Sequence, residues 1–233
     1  MRILSCFILI FCFTIANAQI KDILQKAKSV VEGPGQSDYS AGLKEALEIG
    51  VGEAVKKLSA EKGFLESPYK ILIPEDARQM IAKVKMVPGF QDVESKLINQ
   101  MNQAAELAAK KATPIFVDAI RKMSIEDAMN IVRGSDDAAT KYLENTSRQS
   151  LYSTFIPVVR DVLDEINAQA YWNSVVAAYN KIPLVKKLNP SLDDHVTQKA
   201  LDGIFNVIAL KEKGIRTDVN QRTSDLLKKV FGN

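Results

Sequence analysis

The residues able to do chemistry in this 233-residue chain are carboxylates, amides and arginines set among apolar neighbours: Asn102, Glu106, Asp118, Arg121, Asp136, Asp137, Thr140, Asn180, Asp202, Glu212 and Arg216. Two carboxylates facing each other across a cleft can work as acid and base if burial keeps one of them protonated, and Glu106 with Glu212 is the pair on offer. A buried carboxylate beside an arginine does something else. It must be paired to be tolerated, so convergence of Glu106, Arg121, Glu212 and Arg216 inside a bundle would fix helix packing or hold a polar ligand. Asn102 and Glu106 are four apart, and Asp118 and Arg121 three apart, so each pair shares a helical face. Asp136 and Asp137 suit the positive end of a helix dipole, at about 0.3–1 kcal/mol each. The plain reading of the whole set is helix caps and interhelical ion pairs.

Other chemistries lack their parts. His195 is the sole histidine, and there is no HExxH or Glu-x-x-His pair, so the usual zinc hydrolase and di-iron helical sites have no ligands. No metal or cofactor is expected. Gly-x-Ser-x-Gly, a phosphate-cradling glycine loop with its Lys, and a dinucleotide fingerprint are all missing. His195, beside Asp193 and Asp194, reads as a partly exposed first-turn helical histidine. With 31 Lys and Arg against 28 Asp and Glu, the charge of +3 supplies no concentrated basic field, and nucleic acid is not an expected partner.

The elements that must position these residues follow from the hydrophobic pattern. Residues 1–18 open with Met1-Arg2, run apolar from Ile3 to Ile15 and reach Ala16-Asn17-Ala18, which reads as a secretory signal peptide cleaved after Ala18, its apolar run too short for a membrane anchor. Export to the periplasm or another envelope compartment is expected. Cys6 and Cys12 both fall in that segment, so the mature chain is expected to be free of cysteine, with neither disulfides nor thiol catalysis. Residues 19–32 carry Ile20, Ile23, Leu24, Ala27, Val30 and Val31 on one helical face, followed by a Gly/Pro linker over 33–38. That amphipathic helix docks on the body, captures a partner, or touches a membrane surface, the last disfavoured by a polar side that is only slightly basic.

Residues 39–233 read as one all-α domain of about eight or nine helices with a long central helix, since short breakers separate stretches of helical periodicity. Leu43 to Leu58 forms the first helix, ended by a left-handed glycine cap at Gly63-Phe64. Tyr69 to Ile73 is an extended loop, and Pro74 opens a helix running to about Val87. The helix over 92–111 lines Ala104, Ala105, Ala108 and Ala109 near one side, inviting close approach of a neighbour; Glu106 faces away from that stripe, into solvent or a second packing surface. Thr113-Pro114 reads as cap and first-turn proline, and Ser124 with Asp127 as a capping box. Asp136-Asp137 open another helix. The longest is expected from about Phe155 to Tyr179, Pro157 in its first turn and its second half at the centre of the core. Ser191 to Asp194 offers a further capping box, and Leu226, Leu227, Val230 and Phe231 mark the last helix.

Several motifs occur together in order: Met101-Asn102-Gln103-Ala104-Ala105-Glu106, Gly134-Ser135-Asp136-Asp137-Ala138-Ala139-Thr140-Lys141-Tyr142, Tyr179-Asn180-Lys181-Ile182-Pro183, Ala200-Leu201-Asp202-Gly203-Ile204-Phe205, Glu212-Lys213-Gly214-Ile215-Arg216, and the ending from Arg222 to Gly232. Over about Ser40 to Gly232 the chain resembles family 4197 of the domains of unknown function. The resemblance implies an exported bacterial protein and implies no activity or catalytic residue; the family's motif polar residues correspond here to Asn102, Glu106, Asp136, Asp137, Thr140, Asn180, Asp202, Glu212 and Arg216. The expected function is therefore a non-catalytic binding or scaffolding protein of the bacterial cell envelope, its partner an envelope protein or a small apolar ligand. The alternative is a carboxylate-dependent enzyme with its acid/base pair in an interhelical cleft.

Overall fold

Three-and-four spacing of Leu43, Leu47, Val51, Ala54, Val55 and Leu58 produces the first helix of a computed structural model that describes residues 35–86, 91–165, 167–180, 183, 184, 187 and 191–232. The expected signal peptide and the amphipathic stretch 19–32 lie outside the described residues. Among the described residues there are nine α-helices and no strand: α1 (Gln36–Leu58), α2 (Arg78–Val84), α3 (Val93–Ala109), α4 (Ala112–Lys122), α5 (Ile125–Val132), α6 (Ala138–Glu165), α7 (Ala168–Asn180), α8 (Leu192–Thr217) and α9 (Asp225–Phe231). The 3₁₀ turns Glu75–Ala77 and Val219–Gln221 lead into α2 and follow α8. The single all-α domain matches the expectation. None of the described helices is long and apolar enough to cross a membrane.

The core is organised around α8, which packs along α6, α1 and α3. Leu192, Val196, Ala200, Leu201 and Ile204 on α8 are completely buried, as are Leu143, Leu151, Phe155 and Leu163 on α6. Ala104, Ala105, Ala108 and Ala109 of α3 are equally inaccessible, and their small side chains let neighbouring helix axes come close. Phe116 of α4 meets Phe205 of α8 edge-on with ring centroids 5.6 Å apart, the favoured geometry for two ring quadrupoles.

Several local expectations give way to tertiary structure. Helix α1 begins at Gln36, within the span read as linker, because the Asp38 carboxylate turns back to accept the Gly35 amide at 3.2 Å. Its end is not a left-handed glycine: the positive φ of 59° belongs to Lys62. Gly63 is needed for another reason, since a Cβ there would lie 2.4 Å from the Lys57 carbonyl oxygen. Thr113 and Pro114 sit within the first turn of α4, after Lys111 at its N-cap, so Thr113 is not the cap. The box of Ser124 and Asp127 does form, with the Asp127 amide donating to Ser124 Oγ at 3.0 Å and the Ser124 amide to Asp127 Oδ2 at 3.0 Å.

The longest helix is α6, which starts well before Phe155 and stops at Glu165, and it holds Pro157 in its interior rather than in its first turn. Pro157 is exposed, so water can satisfy the carbonyl that the missing N–H leaves free. The chain breaks after Glu165 and Asn167 takes φ of 54°, a left-handed conformation that asparagine tolerates better than most residues. Consequently α7 is a separate, peripheral helix. It buries Trp172 and Val176 but exposes Ala170, Asn173 and Ala177, so the centre of the core passes to α8. The proposed box at Ser191 does not close: Ser191 makes no side-chain cap, and Asp193 and Asp194 are drawn toward α6.

Candidate functional site

Two buried polar centres and one surface hollow are positioned by this fold. The first centre is carried by α8. Glu212 Oε1 accepts the Ala139 amide at 3.0 Å, and Oε2 accepts the Thr140 amide and hydroxyl at 2.8 Å each, so one carboxylate caps the start of α6 from another helix. One turn on, Arg216 donates through Nε and Nη2 to Glu212 Oε1 at 3.0 and 2.9 Å. Its Nη1 and Nη2 also donate to the Val132 and Ile131 carbonyls at 3.2 and 2.9 Å, closing the end of α5. The pair, with side chains only 8% and 10% exposed, therefore staples both ends of the 133–137 turn onto α8. Arg216 also stacks 5.7 Å over the Phe231 ring of α9.

The second centre is carried by α3. Glu106 accepts the Lys62 amide on Oε2 at 3.1 Å, and the Phe64 and Leu65 amides on Oε1 at 3.1 and 3.4 Å. Fully buried Asn102 takes the Ile71 amide at 2.8 Å and returns Nδ2 to the Ile71 and Ile98 carbonyls at 2.9 and 2.7 Å. Together they hold the irregular segment 59–74 against the bundle, where no helix or sheet satisfies its backbone. Glu106 therefore takes the second of its two expected places, a packing surface rather than solvent.

The structure brings Thr140, Glu212 and Arg216 together but leaves Glu106 and Arg121 elsewhere. Phe64, bound through its amide to Glu106, sets its ring against Gly203 of α8, and Glu212 lies nine residues further along that helix, about 13 Å on. Glu212 borders a void of about 10 Å³, room for roughly one water. Arg121 and Asp118 are exposed and do not pair with each other: Asp118 binds Lys122 at 2.6 Å, while the Arg121 carbonyl accepts Lys44 Nζ at 3.5 Å. Asp136 is exposed in the turn, and Asp137 accepts the Ser135 hydroxyl at 2.6 Å and binds Lys141 at 2.8 Å. Asn180 ends α7, half-buried. Asp202 binds Arg148 at 2.7 Å.

That last contact belongs to a seam the sequence did not disclose. Arg148 of α6 also binds Glu144 at 2.7 Å and Gln198 at 3.0 Å and lies 5.9 Å over Phe205; Arg160 binds Asp193 at 2.8 Å, and the Tyr152 hydroxyl donates to Asp194 at 2.8 Å. The four-residue spacing of Glu144 and Arg148 was the available signal, but it reports a helix face and not the helix opposite.

The surface hollow lies between segment 68–76 and the start of α8. Two depressions of about 440 and 210 Å³ meet at His195 and Lys199; Tyr69, Leu72 and Asn206 line the larger, Trp172, Asp194 and Gln198 the smaller. Trp172 is 1% exposed and its indole N–H has no hydrogen-bond partner among the described residues. His195 Nε2 lies 3.0 Å from the Leu72 carbonyl, which can only accept, so this nitrogen carries the proton. Burial pushes the His195 imidazolium below its ordinary value of 6.5, with the Leu72 hydrogen bond opposing. The unfolded chain then takes up the proton first as pH falls, so His195's contribution to stability is full above about 6.5 and declines below it. An NMR titration should give an imidazole midpoint below 6.5, and His195→Asn should flatten the stability profile there. A midpoint at or above the ordinary value would remove this account.

Among the described residues no three His, Cys, Asp or Glu side chains gather as a metal shell requires. A family model described as a protein of unknown function (DUF4197) matches residues 33–232. No curated protein and no solved structure matches the chain.

Proposed function

The chain belongs to the DUF4197 family of proteins of unknown function, and from that starting point we propose that it is an exported, non-catalytic helical protein of the bacterial envelope that works by binding a partner at its surface. One observation carries the reading: the buried carboxylates Glu106 and Glu212 are each saturated by backbone amides, an arginine or a hydroxyl. Oxygens so engaged are acceptors holding the fold together, and neither side chain lines the His195 hollow or the groove beside Lys56. They also engage different segments, Glu106 the amides of Lys62, Phe64 and Leu65 and Glu212 those of Ala139 and Thr140, and they share no hydrogen-bond partner. What remains for function is the surface, with its hollow at His195 and its grooves. The leader-like residues 1–18 support export.

Native mass spectrometry of the protein purified from the envelope fraction of its own host tests this. The expected spectrum shows a chain starting at Gln19 that retains a ligand or partner. A full-length chain from Met1 found in the cytosol, or turnover of a substrate that Glu106→Gln abolishes without lowering the melting temperature, would overturn it.

A further inference from the structure

Between α1, α8 and the Val219–Gln221 turn runs a groove of about 600 Å³ whose floor is apolar, with Val207 at its base and Leu210 on its wall. Three lysines and one glutamate border it. Lys211 is spoken for, 3.1 Å from Glu53, but Lys56 and Lys57 have no carboxylate partner among the described residues. They stand in the last turn of α1, where a helix dipole welcomes cations, and that alone would explain them. The dipole does not explain the apolar residues beside them. Leu210 on α8 and Val219 in the turn that carries Gln221 to the groove are each 64% exposed, two of the few large apolar side chains that the described surface leaves in water. Exposed apolar side chains next to unpaired lysines fit a surface that is anionic at its face and apolar just beneath.

We propose that this face docks on an anionic phospholipid bilayer, with Lys56 and Lys57 meeting headgroup phosphates and Leu210 and Val219 entering the boundary of the acyl region. Charge favours this occupant over the chain's own residues 19–32, whose Lys21, Lys26 and Lys28 outnumber Asp22 and Glu32 and leave no net negative charge to complement Lys56 and Lys57. The inference deepens the surface-binding reading by naming the partner, and it uses a surface separate from the His195 hollow.

Flotation of the full processed chain with vesicles of phosphatidylglycerol, and separately of phosphatidylcholine, tests it. Binding is expected on the first and not the second, and raised salt should weaken it because the contacts are exposed. Lys56→Gln with Lys57→Gln should lower partitioning about 25-fold, roughly five-fold per lysine. Leu210→Asp should lower it about ten-fold or more. All three positions are exposed, so each variant should melt with the parent. Equal partitioning of parent and variants overturns the proposal, as does the absence of binding to phosphatidylglycerol. Binding of poly-glutamate, or dimerisation, that Lys56 and Leu210 variants abolish without any vesicle binding would assign the groove to an acidic protein segment or a second copy and equally overturn it. Those results would leave the surface-binding reading standing, which fails separately if the mass spectrum shows no retained partner.

Discussion

Glu212→Ala is expected to cost about 3–5 kcal/mol, because it leaves the buried Arg216 guanidinium without its carboxylate and strips the Ala139 and Thr140 amides of their acceptor. In a domain of this size that corresponds to a fall in melting temperature of about 10 °C or more, read by thermal or urea unfolding. Arg216→Ala should cost less. The Glu212 carboxylate keeps three hydrogen bonds from Ala139 and Thr140, while the Ile131 and Val132 carbonyls lose a donor but retain their places at a helix end. The double variant should be more stable than the sum of the single losses by about 1–3 kcal/mol, since removing both partners abolishes the stranded charge. If Glu212→Ala melts within a degree or two of the parent, the pair is not what ties the 133–137 turn to α8.

Asn102→Asp is expected to be nearly as damaging, at about 3–4 kcal/mol, and more so than Asn102→Ala at about 2–3 kcal/mol. Asparagine is required in both of its roles here: its oxygen accepts from the Ile71 amide, and its nitrogen donates to the Ile71 and Ile98 carbonyls. Aspartate keeps the shape but turns two donations into contacts between oxygens, and it buries a charge with no cation at hand. The consequence should be local before it is global. Ile71 and its neighbours lie in a segment without helix or strand, so the 59–74 region should lose hydrogen-exchange protection and gain protease cleavage at denaturant concentrations where α6 and α8 stay protected. Unchanged exchange at Ile71 in Asn102→Asp would show that Glu106 alone holds the segment.

Both sites were visible in the sequence as residues but not as sites. Asn102 and Glu106 share a face with four-residue spacing, and so do Glu212 and Arg216, yet only the second pair bonds internally. Asn102 and Glu106 each reach away to a different part of the 59–74 segment. Spacing reports which residues share a helix face; it carries nothing about what stands opposite. The same gap explains the missed seam of Arg148, Arg160, Tyr152 and Asp194, whose partners are about 30 to 50 residues away. It also explains the misplaced long helix. Phe155 to Tyr179 has no Gly, and no Pro beyond Pro157, to mark a break, yet the chain turns at Asn167 with φ of 54° and Trp172 is buried on the separate α7.

From its amino-acid order alone this protein is committed to helices, through apolar residues repeating every three or four positions, through breakers such as Gly134-Ser135, and through the box of Ser124 and Asp127, all of which act over distances of one or two turns. Its polar motifs were likewise set there as residue types. Only the packed bundle decided that Glu212 would cap α6 and Arg216 close α5, that Glu106 and Asn102 would hold the 59–74 loop, and that α8 would be the central helix. Those outcomes depend on which helices meet, and a buried charge acquires its role from the groups that surround it, which chain separation conceals and folding supplies.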